Sequence, residues 1–252
     1  MGKELAPDDP WRPLRRFTDA RIGLPRSGFG IATSEHLAFQ LDHARARDAV
    51  YDALDLPTLE AALADQGLAP VTVSSAAADR RAYLGRPDLG RKLTPEATAT
   101  LEAKCGDYDL VFVIADGLSA RAVNSHAAAF LATVRPLLPE SWRVGPAVIV
   151  RQGRVAVGDA IGAALGARMI ALLIGERPGL SSPDSLGVYL TWDPVIGRTD
   201  AERNCLSNIR PEGLVYAEGA RRLAYLLTEA RARKLSGVAL KDDQIPMLPA
   251  GP

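Results

Sequence analysis

The sequence predicts an α/β protein with a Rossmann-like, doubly wound and mostly parallel sheet, preceded by a small helical N-terminal subdomain. Three observations support this prediction. From residue 69 onward, short apolar strands alternate regularly with helical segments, which is typical of a parallel sheet covered on both faces. The 252 residues are 47% hydrophobic and 24% charged, as in a globular chain that buries a full core. Glycine-, proline- and serine-rich loops at 175–185 and 203–214 flank an apolar strand, as loops around a ligand crevice do.

Residues 1–67 are expected to form an N-terminal arm and a helical subdomain, and residues 68–252 the larger domain. The first 30 residues are rich in Pro, Arg and Asp and have weak periodicity, so we expect them to run along a surface. A helix is predicted from Ser34 to Leu54, and a second from Thr58 to Gln66 that ends at Gly67.

The larger domain is predicted to contain five strands and four helices. The predicted strands are Pro70–Ser74, Asp109–Ala115, Ala147–Arg151, Met169–Gly175 and Leu186–Thr191. The predicted helices are Pro95–Lys104, Ser119–Leu138, Val155–Leu165 and about Pro211–Leu235. Ligands of such sheets bind beyond the carboxyl ends of the strands. We therefore expect a crevice at the segments that follow the strands: Asp116-Gly117, Gln152-Gly153, Glu176-Arg177 and the loop after Thr191.

Composition and charge disfavour several classes of partner. The 30 Lys and Arg residues balance 30 Asp and Glu, so the overall charge supports neither a nucleic-acid nor an anionic-membrane partner. The two cysteines, Cys105 and Cys205, lie far apart and form no CxxC pattern, which disfavours a disulfide framework and a zinc site. A reducing cytoplasm is the expected location. The longest apolar runs are too short to span a bilayer, and no signal peptide is recognisable.

Common catalytic and nucleotide-binding motifs are missing. No predicted strand is followed by GxGxxG, and no GxxxxGK[ST] loop occurs. The three histidines show no metal-ligand spacing, and surface positions are favoured for His36 and His43. Cys205 has no neighbouring histidine to activate it, so a contact role is favoured over nucleophilic catalysis. For Glu176, a surface ion pair with Arg177 and a ligand contact are equally supported.

Seven segments together resemble one family, the small (light) subunit of ethanolamine ammonia-lyase. They are TDARIG from Thr18, LDHARARDAV from Leu41, DLVFVIADGLSARAV from Asp109, RVAVGDAIGAALGAR from Arg154, GERPGLSSPDSLGVYLTW from Gly175, RNCLSNIRPEGL from Arg203 and KLSGVALKD from Lys234. The resemblance covers nearly the whole chain, and the last four segments are highly specific. The first is looser, because Pro25 follows it where a glycine is expected.

This resemblance implies an adenosylcobalamin-dependent lyase that converts ethanolamine to acetaldehyde and ammonia. It implies a large subunit, a (β/α)8 barrel, that holds the substrate, with the corrinoid between the two chains, and it suggests six large and six small subunits in the cytoplasm, either free or within a bacterial microcompartment. The corrinoid contacts implied for this chain are Val155, Glu176 and Cys205. No residue of this chain is assigned a catalytic or metal-binding role.

The cofactor is expected to keep its own lower base, because the DxHxxG motif that replaces this base with a histidine is absent. Two other functions stay open. The first alternative is a structural subunit without cofactor contact. The second is a stand-alone Rossmann enzyme that binds a nucleotide, which the missing glycine fingerprints disfavour.

Overall fold

The structure, a computed structural model, describes residues 11–18 and 20–244. Its strands are β1 (Arg26–Ser27), β2 (Gly30–Ile31), β3 (Pro70–Ser74), β4 (Val111–Ala115), β5 (Ala147–Arg151), β6 (Met169–Gly175), β7 (Leu186–Trp192) and β8 (Arg203–Ile209). Its α-helices are α1 (Arg12–Arg15), α2 (Thr33–Tyr51), α3 (Leu56–Asp65), α4 (Arg80–Gly85), α5 (Pro95–Glu102), α6 (Ala120–Ala122), α7 (Ala128–Val134), α8 (Val157–Leu165) and α9 (Tyr216–Arg233).

A six-stranded mixed sheet forms the centre of the molecule, in the order β3-β5-β4-β6-β7-β8. The first four of these strands are parallel, with Val113 beside Val148 on one side and Leu172 on the other. Strand β7 runs antiparallel to β6, and β8 runs antiparallel to β7. The α/β class and the mostly parallel sheet predicted from the sequence are thus confirmed.

Helices cover the sheet on both faces and create two apolar cores. One core joins alternate strand residues such as Phe112 to leucines of α3 and α9 and to Phe130 of α7. The other joins the intervening residues, such as Val113, to α5 and α8. Strand β4 is buried on both faces and therefore reads as a continuous apolar run. Each fully buried large side chain contributes about 1.5–3 kcal/mol.

Capping residues set several helix ends. The side chain of Asp55 accepts a hydrogen bond from Thr58 N at the start of α3, and Thr94 caps α5 in the same way ahead of Pro95. Helix α8 ends at Gly166, which adopts the left-handed conformation that glycine tolerates best. These local signals explain why short polar segments separate the packed elements.

Two glycines of α8 allow close packing against the sheet and the loop after β7. A methyl group on Gly158 would lie 2.5 Å from Ile170 Cδ1, and one on Gly162 would lie 2.7 Å from Pro194 Cβ. Both glycines therefore let the helix approach its neighbours more closely than alanine would.

The structure differs from the prediction at several element boundaries and at one interruption. The segment 203–209, predicted as a loop, is strand β8, because its apolar side chains Leu206 and Ile209, on either side of a bulge, both enter the core under α9. The last helix begins at Tyr216 instead of Pro211, and α8 begins at Val157 instead of Val155. The predicted helix from Ser119 to Leu138 is interrupted by a π-helical turn at Val123–Ala127.

None of the helices in the described ranges is long and apolar enough to cross a membrane.

Candidate functional site

A cleft of about 390 Å³ opens at the carboxyl edge of the parallel strands. It lies where the segments after β4, β5 and β6 converge, which is the place that the sequence predicts for a ligand. Its lining residues are Tyr83, Leu118, Arg154, Val155, Ile174, Gly175, Glu176, Arg177 and Tyr189. The prediction that the loop after Thr191 joins this crevice is wrong: β7 is antiparallel, so that loop lies at the opposite edge of the sheet.

Glu176 follows directly after β6 and is half-buried. Its Oε2 atom accepts hydrogen bonds from the Ser185 hydroxyl and from the backbone N–H of Asn208 (3.2 Å). A side chain at Gly187 would collide with the carboxylate, since its Cβ would lie 2.8 Å from Glu176 Oε1. The absence of a side chain at Gly187 therefore allows Glu176 to lie over strand β7.

A bulge in β8 supplies the backbone donor to Glu176. Leu186 pairs with Ile209 but Val188 pairs with Leu206, so three residue steps on β8 match two on β7. Asn208, inside this bulge, has φ +59°, a left-handed conformation that asparagine adopts more readily than most residues. The bulge turns the N–H of Asn208 away from regular pairing and toward the carboxylate.

Cys205 lies on strand β8 and not in a loop, which corrects the sequence interpretation. It is directly opposite Tyr189 on β7, so both side chains project from the same face of the sheet. The thiol is exposed at the surface, but the protein atoms around it exclude part of the surrounding water and so raise its pKa above the ordinary value. The hydrogen bond with Tyr189 lowers this pKa, and the negative charge of Glu176 raises it. Burial likewise raises the pKa of the Tyr189 hydroxyl, and the neighbouring Cys205 contributes.

Val155 is half-buried in the turn between β5 and α8, where it packs against the apolar core beneath α8. The backbone N–H of the preceding residue, Arg154, donates to Gly90 O (2.7 Å) and holds this turn in place. The Arg154 guanidinium lies 4.2 Å from the ring centroid of Tyr83.

The structure thus brings together the three residues singled out from the sequence. Val155 and Glu176 line the same cleft, and Cys205 contacts Tyr189, which lines it as well. Sequence reasoning missed Tyr189 and Tyr83. The period of two along a strand could have placed Tyr189 on the face opposite Val188 and Leu190, away from the core under α9, whereas no local pattern distinguishes Tyr83.

The site is suited to binding, and no histidine in the described part of the chain lines it. His36 and His43 are exposed on α2, as predicted, while His126 is buried between Tyr216 (2.6 Å) and Asp184 (3.3 Å) and does not line the cleft. Among residues 11–18 and 20–244, no group of three or more His, Cys, Asp or Glu side chains could hold a metal ion. What remains is an apolar wall, a carboxylate acceptor and several donors.

Comparison with known proteins gives a consistent result. Residues 8–241 match the family model described as ethanolamine ammonia-lyase light chain (EutC). The chain is 54% identical over 242 residues to the ethanolamine ammonia-lyase small subunit of Xanthomonas campestris pv. campestris, covering 94% of this chain and 89% of the relative. The small subunits of Pseudomonas syringae pv. tomato (53% over 243 residues, 94% and 85% coverage) and Azotobacter vinelandii (54% over 243 residues, 94% and 90%) are similarly close.

Proposed function

The chain belongs to the ethanolamine ammonia-lyase light-chain family, and from this membership we propose that it supplies part of the cobalamin-binding surface of an adenosylcobalamin-dependent ethanolamine ammonia-lyase. In this proposal the enzyme converts ethanolamine to acetaldehyde and ammonia and is active only when the large subunit, a (β/α)8 barrel that holds the substrate, is present. The corrinoid lies between the two chains, in a complex of six large and six small subunits.

The observation that supports this proposal most directly is the shared position of Val155, Glu176 and Tyr189 around one cleft, with Cys205 beside Tyr189. A corrin is a broad apolar ring fringed by primary amides, with a nucleotide tail that carries one phosphate. Such a group needs an apolar wall and separate hydrogen-bonding partners for its amide N–H and C=O groups.

The residues present fit this requirement. Among the described residues, the hydrogen bonds to Glu176 reach only Oε2, so Oε1 is left to accept from an amide or ribose hydroxyl of the ligand. Val155, Leu118 and Ile174 supply apolar contact. The carboxylate therefore orients the ring edge while the aliphatic side chains exclude water.

The sheet beside the cleft offers a surface for a ligand larger than the cleft itself. Helix α9 covers β7 and β8 on one face, where Val188 and Leu206 are buried. On the other face, Cys205 and Ser207 are exposed. An antiparallel region with one uncovered face is a natural contact surface, and a second chain that closes over it would complete the site.

This chain is proposed to bind and position, and no proton transfer is assigned to it. When bound, adenosylcobalamin supplies a cobalt–carbon bond that breaks homolytically and starts the radical reaction on the substrate. The side chains around the cleft hold the corrin edge rigidly and shield that chemistry from water and oxygen.

The proposed location is the cytoplasm, with the complex either free or enclosed in a bacterial microcompartment. Cys105 and Cys205 are both free thiols, which is compatible with a reducing compartment.

Two substitutions test the proposal in the complex reconstituted with a cognate large subunit. Glu176→Gln and Cys205→Ala should each weaken adenosylcobalamin binding, measured by equilibrium dialysis, and lower turnover at subsaturating cofactor. The matched controls Glu102→Gln and Cys105→Ala change exposed residues outside the cleft and should leave both quantities unchanged. Wild-type affinity and turnover in both test variants would remove these residues from the site.

A purely structural subunit is the second candidate, because helix α2 exposes large apolar side chains. Of its 19 residues only Ala49 is buried, whereas Leu37 is 58% and Leu41 51% exposed. Such a surface suits contact with another protein chain. Limited proteolysis of the complex with and without adenosylcobalamin separates the two functions. Protection of loop 176–185 by the cofactor supports corrinoid contact, and identical digestion supports a scaffold.

The third candidate, a stand-alone enzyme that binds a nucleotide, has no support from a glycine fingerprint at any strand end of the sequence.

A further inference from the structure

Tyr83 is a fully buried tyrosine for whose hydroxyl the described residues supply no acceptor. It lies on helix α4, is 0% exposed and contributes to the lining of the cleft that contains Glu176. Within the part of the chain that the structure describes, its hydroxyl oxygen is buried and makes no hydrogen bond. A buried polar group without a partner is uncommon in proteins and calls for an explanation.

Two guanidinium groups flank the ring of Tyr83, with Arg154 Cζ 4.2 Å and Arg80 Cζ 4.7 Å from its centroid. Arg80 donates from its Nε to Val50 O and from its Nη1 to Gly117 O, both at 2.7 Å, and its Nη2 is buried and finds no acceptor among the described residues. Arginine has no acceptor atom, so neither side chain can receive the tyrosine proton.

Arg154 repeats this pattern on the cleft side. Its Nη2 donates to the backbone oxygen of Tyr83 (3.2 Å), while its Nε is buried without a partner in the described residues. Burial raises the pKa of the Tyr83 hydroxyl to about 12, and the charge of Arg154 opposes this, so the hydroxyl keeps its proton near neutral pH. The Tyr83 hydroxyl and Arg154 Nε are thus two buried donors, on residues that line the cleft, for which the described residues supply no acceptor.

We propose that Tyr83 and Arg154 are further cofactor-binding residues that donate hydrogen bonds to an acceptor oxygen of the corrinoid. This inference rests on the proposed function. Two oxygens of the ligand share the required chemistry: an amide carbonyl at the edge of the corrin ring, and a phosphate oxygen of the nucleotide tail. Glu176 accepts and the Tyr83–Arg154 pair donates, so the cleft offers both kinds of partner that an amide fringe needs.

The fold itself gives no reason for the hydroxyl. The ring of Tyr83 fills its space against Gly90, where an added methyl would lie 3.2 Å from Tyr83 Cδ2, and phenylalanine would fill that space equally well. Removing a buried hydroxyl that has no partner costs no hydrogen bond in the empty protein. A ligand role and a structural role therefore predict different results for Tyr83→Phe.

The experiment uses the complex of the full chain with a cognate large subunit. Tyr83→Phe should raise the dissociation constant for adenosylcobalamin roughly three- to tenfold, as expected for one lost hydrogen bond. The melting temperature of the cofactor-free complex should stay the same or rise. Tyr108→Phe is the matched control, because that hydroxyl bonds Lys104 O (3.1 Å) outside this cleft, and it should leave cofactor affinity unchanged.

Adenosylcobinamide, which keeps the ring amides but lacks the nucleotide tail, separates the two oxygens. A loss of affinity in Tyr83→Phe for both corrinoids assigns the contact to a ring amide, and a loss for adenosylcobalamin alone assigns it to the phosphate. Unchanged affinity for both, or weakened subunit association without any corrinoid, would overturn this inference alone. A wild-type complex that binds no adenosylcobalamin would overturn the proposed function and this inference with it.

Discussion

Arg203, the first residue of β8, forms a buried two-point ion pair with Asp159 of helix α8. Its two terminal nitrogens lie 2.6 and 2.7 Å from the two carboxylate oxygens, and the side chains are 1% and 2% exposed. Arg203 also donates to the Thr191 hydroxyl (3.0 Å). The pair ties β8, which carries Cys205, to the helix that follows Val155, so it fixes two parts of the proposed corrinoid surface relative to each other.

The Asp159→Asn variant should lose much of the stability of the fold. It removes the buried counter-ion of Arg203 and leaves among the described residues only the exposed Asp200, 3.8 Å away, and loss of a buried partner typically costs about 3–5 kcal/mol. Urea unfolding followed by circular dichroism measures the change. The exposed Asp88, paired with Arg86 at the surface, is the control, since Asp88→Asn should leave the unfolding midpoint unchanged. Equal midpoints for Asp159→Asn and the wild type would contradict this role of the pair.

Gly117→Ala should damage both stability and cofactor binding. Gly117 has φ +57°, and an added methyl would meet Gly175 O and lie 3.0 Å from Gly175 N, next to Glu176. Gly67, with φ +70° and no atom closer than 3.8 Å to an added methyl, isolates the cost of backbone strain. We expect Gly67→Ala to cost about 1–2 kcal/mol in free energy of unfolding. Gly117→Ala should lower the free energy of unfolding by more than Gly67→Ala does and, unlike that control, weaken adenosylcobalamin binding. Equal effects of the two substitutions would show that the close approach of Gly117 to Gly175 is unimportant.

The Cys205 thiol should ionise at unusually high pH. Water exclusion raises its pKa above the ordinary value of 9.0, and the negative charge of Glu176 adds to this shift. In a Cys105→Ala background, the pH midpoint for alkylation by iodoacetamide should lie above 9.0. Introducing Glu176→Gln should lower the midpoint, because the repelling charge is removed. An alkylation midpoint that is the same with and without Glu176→Gln would show that the side chains of Glu176 and Cys205 are too far apart to interact.

Asp116 should make the fold less stable as pH rises. Burial raises its pKa above the ordinary value of 3.8, so the folded chain binds this proton more tightly than the unfolded chain does. The contribution is present below pH 3.8 and is lost as pH rises through the raised value. The stability of the wild type relative to Asp116→Asn should therefore fall with rising pH in urea titrations.

Glu218 provides the control of opposite sign for this titration. Hydrogen bonds from Arg221 and Arg222 lower its pKa from 4.5 to about 2. The advantage of the wild type over Glu218→Gln should therefore be present above pH 4.5 and disappear as pH falls toward 2. If the stability difference changed with pH in the same direction in both comparisons, burial would not be the cause that sets the pKa of Asp116.

The sequence predicted the parallel part of the sheet well, because strands such as Val111–Ala115 are buried on both faces and read as uninterrupted apolar runs. Strand β8 escaped prediction for the opposite reason. It is an edge strand with one open face and a bulge at Asn208, so exposed Cys205 and Ser207 interrupt its apolar pattern and resemble loop residues. The same cause hid the pairing of Cys205 with Tyr189.

Prediction of the site differed from residue to residue. The sequence placed Glu176 directly after a strand, where the structure has it, since a parallel sheet gathers these ends at one edge. Val155 was predicted as the first residue of a helix and lies instead in the turn before α8. Tyr83 could not be singled out from the sequence, because the proposal for it depends on a ring that lies near two guanidinium groups and on a buried hydroxyl for which the described residues supply no acceptor. That arrangement joins α4 to the turn after β5, which lies far along the chain, and no local pattern encodes it.

The most direct test of the account is ethanolamine-dependent acetaldehyde formation with adenosylcobalamin, measured for this chain alone, for a cognate large subunit alone and for the two together. We expect activity only in the mixture, which would establish the chain as an obligatory part of the lyase. Activity of the large subunit alone equal to that of the mixture would contradict the account and reduce this chain to a scaffold.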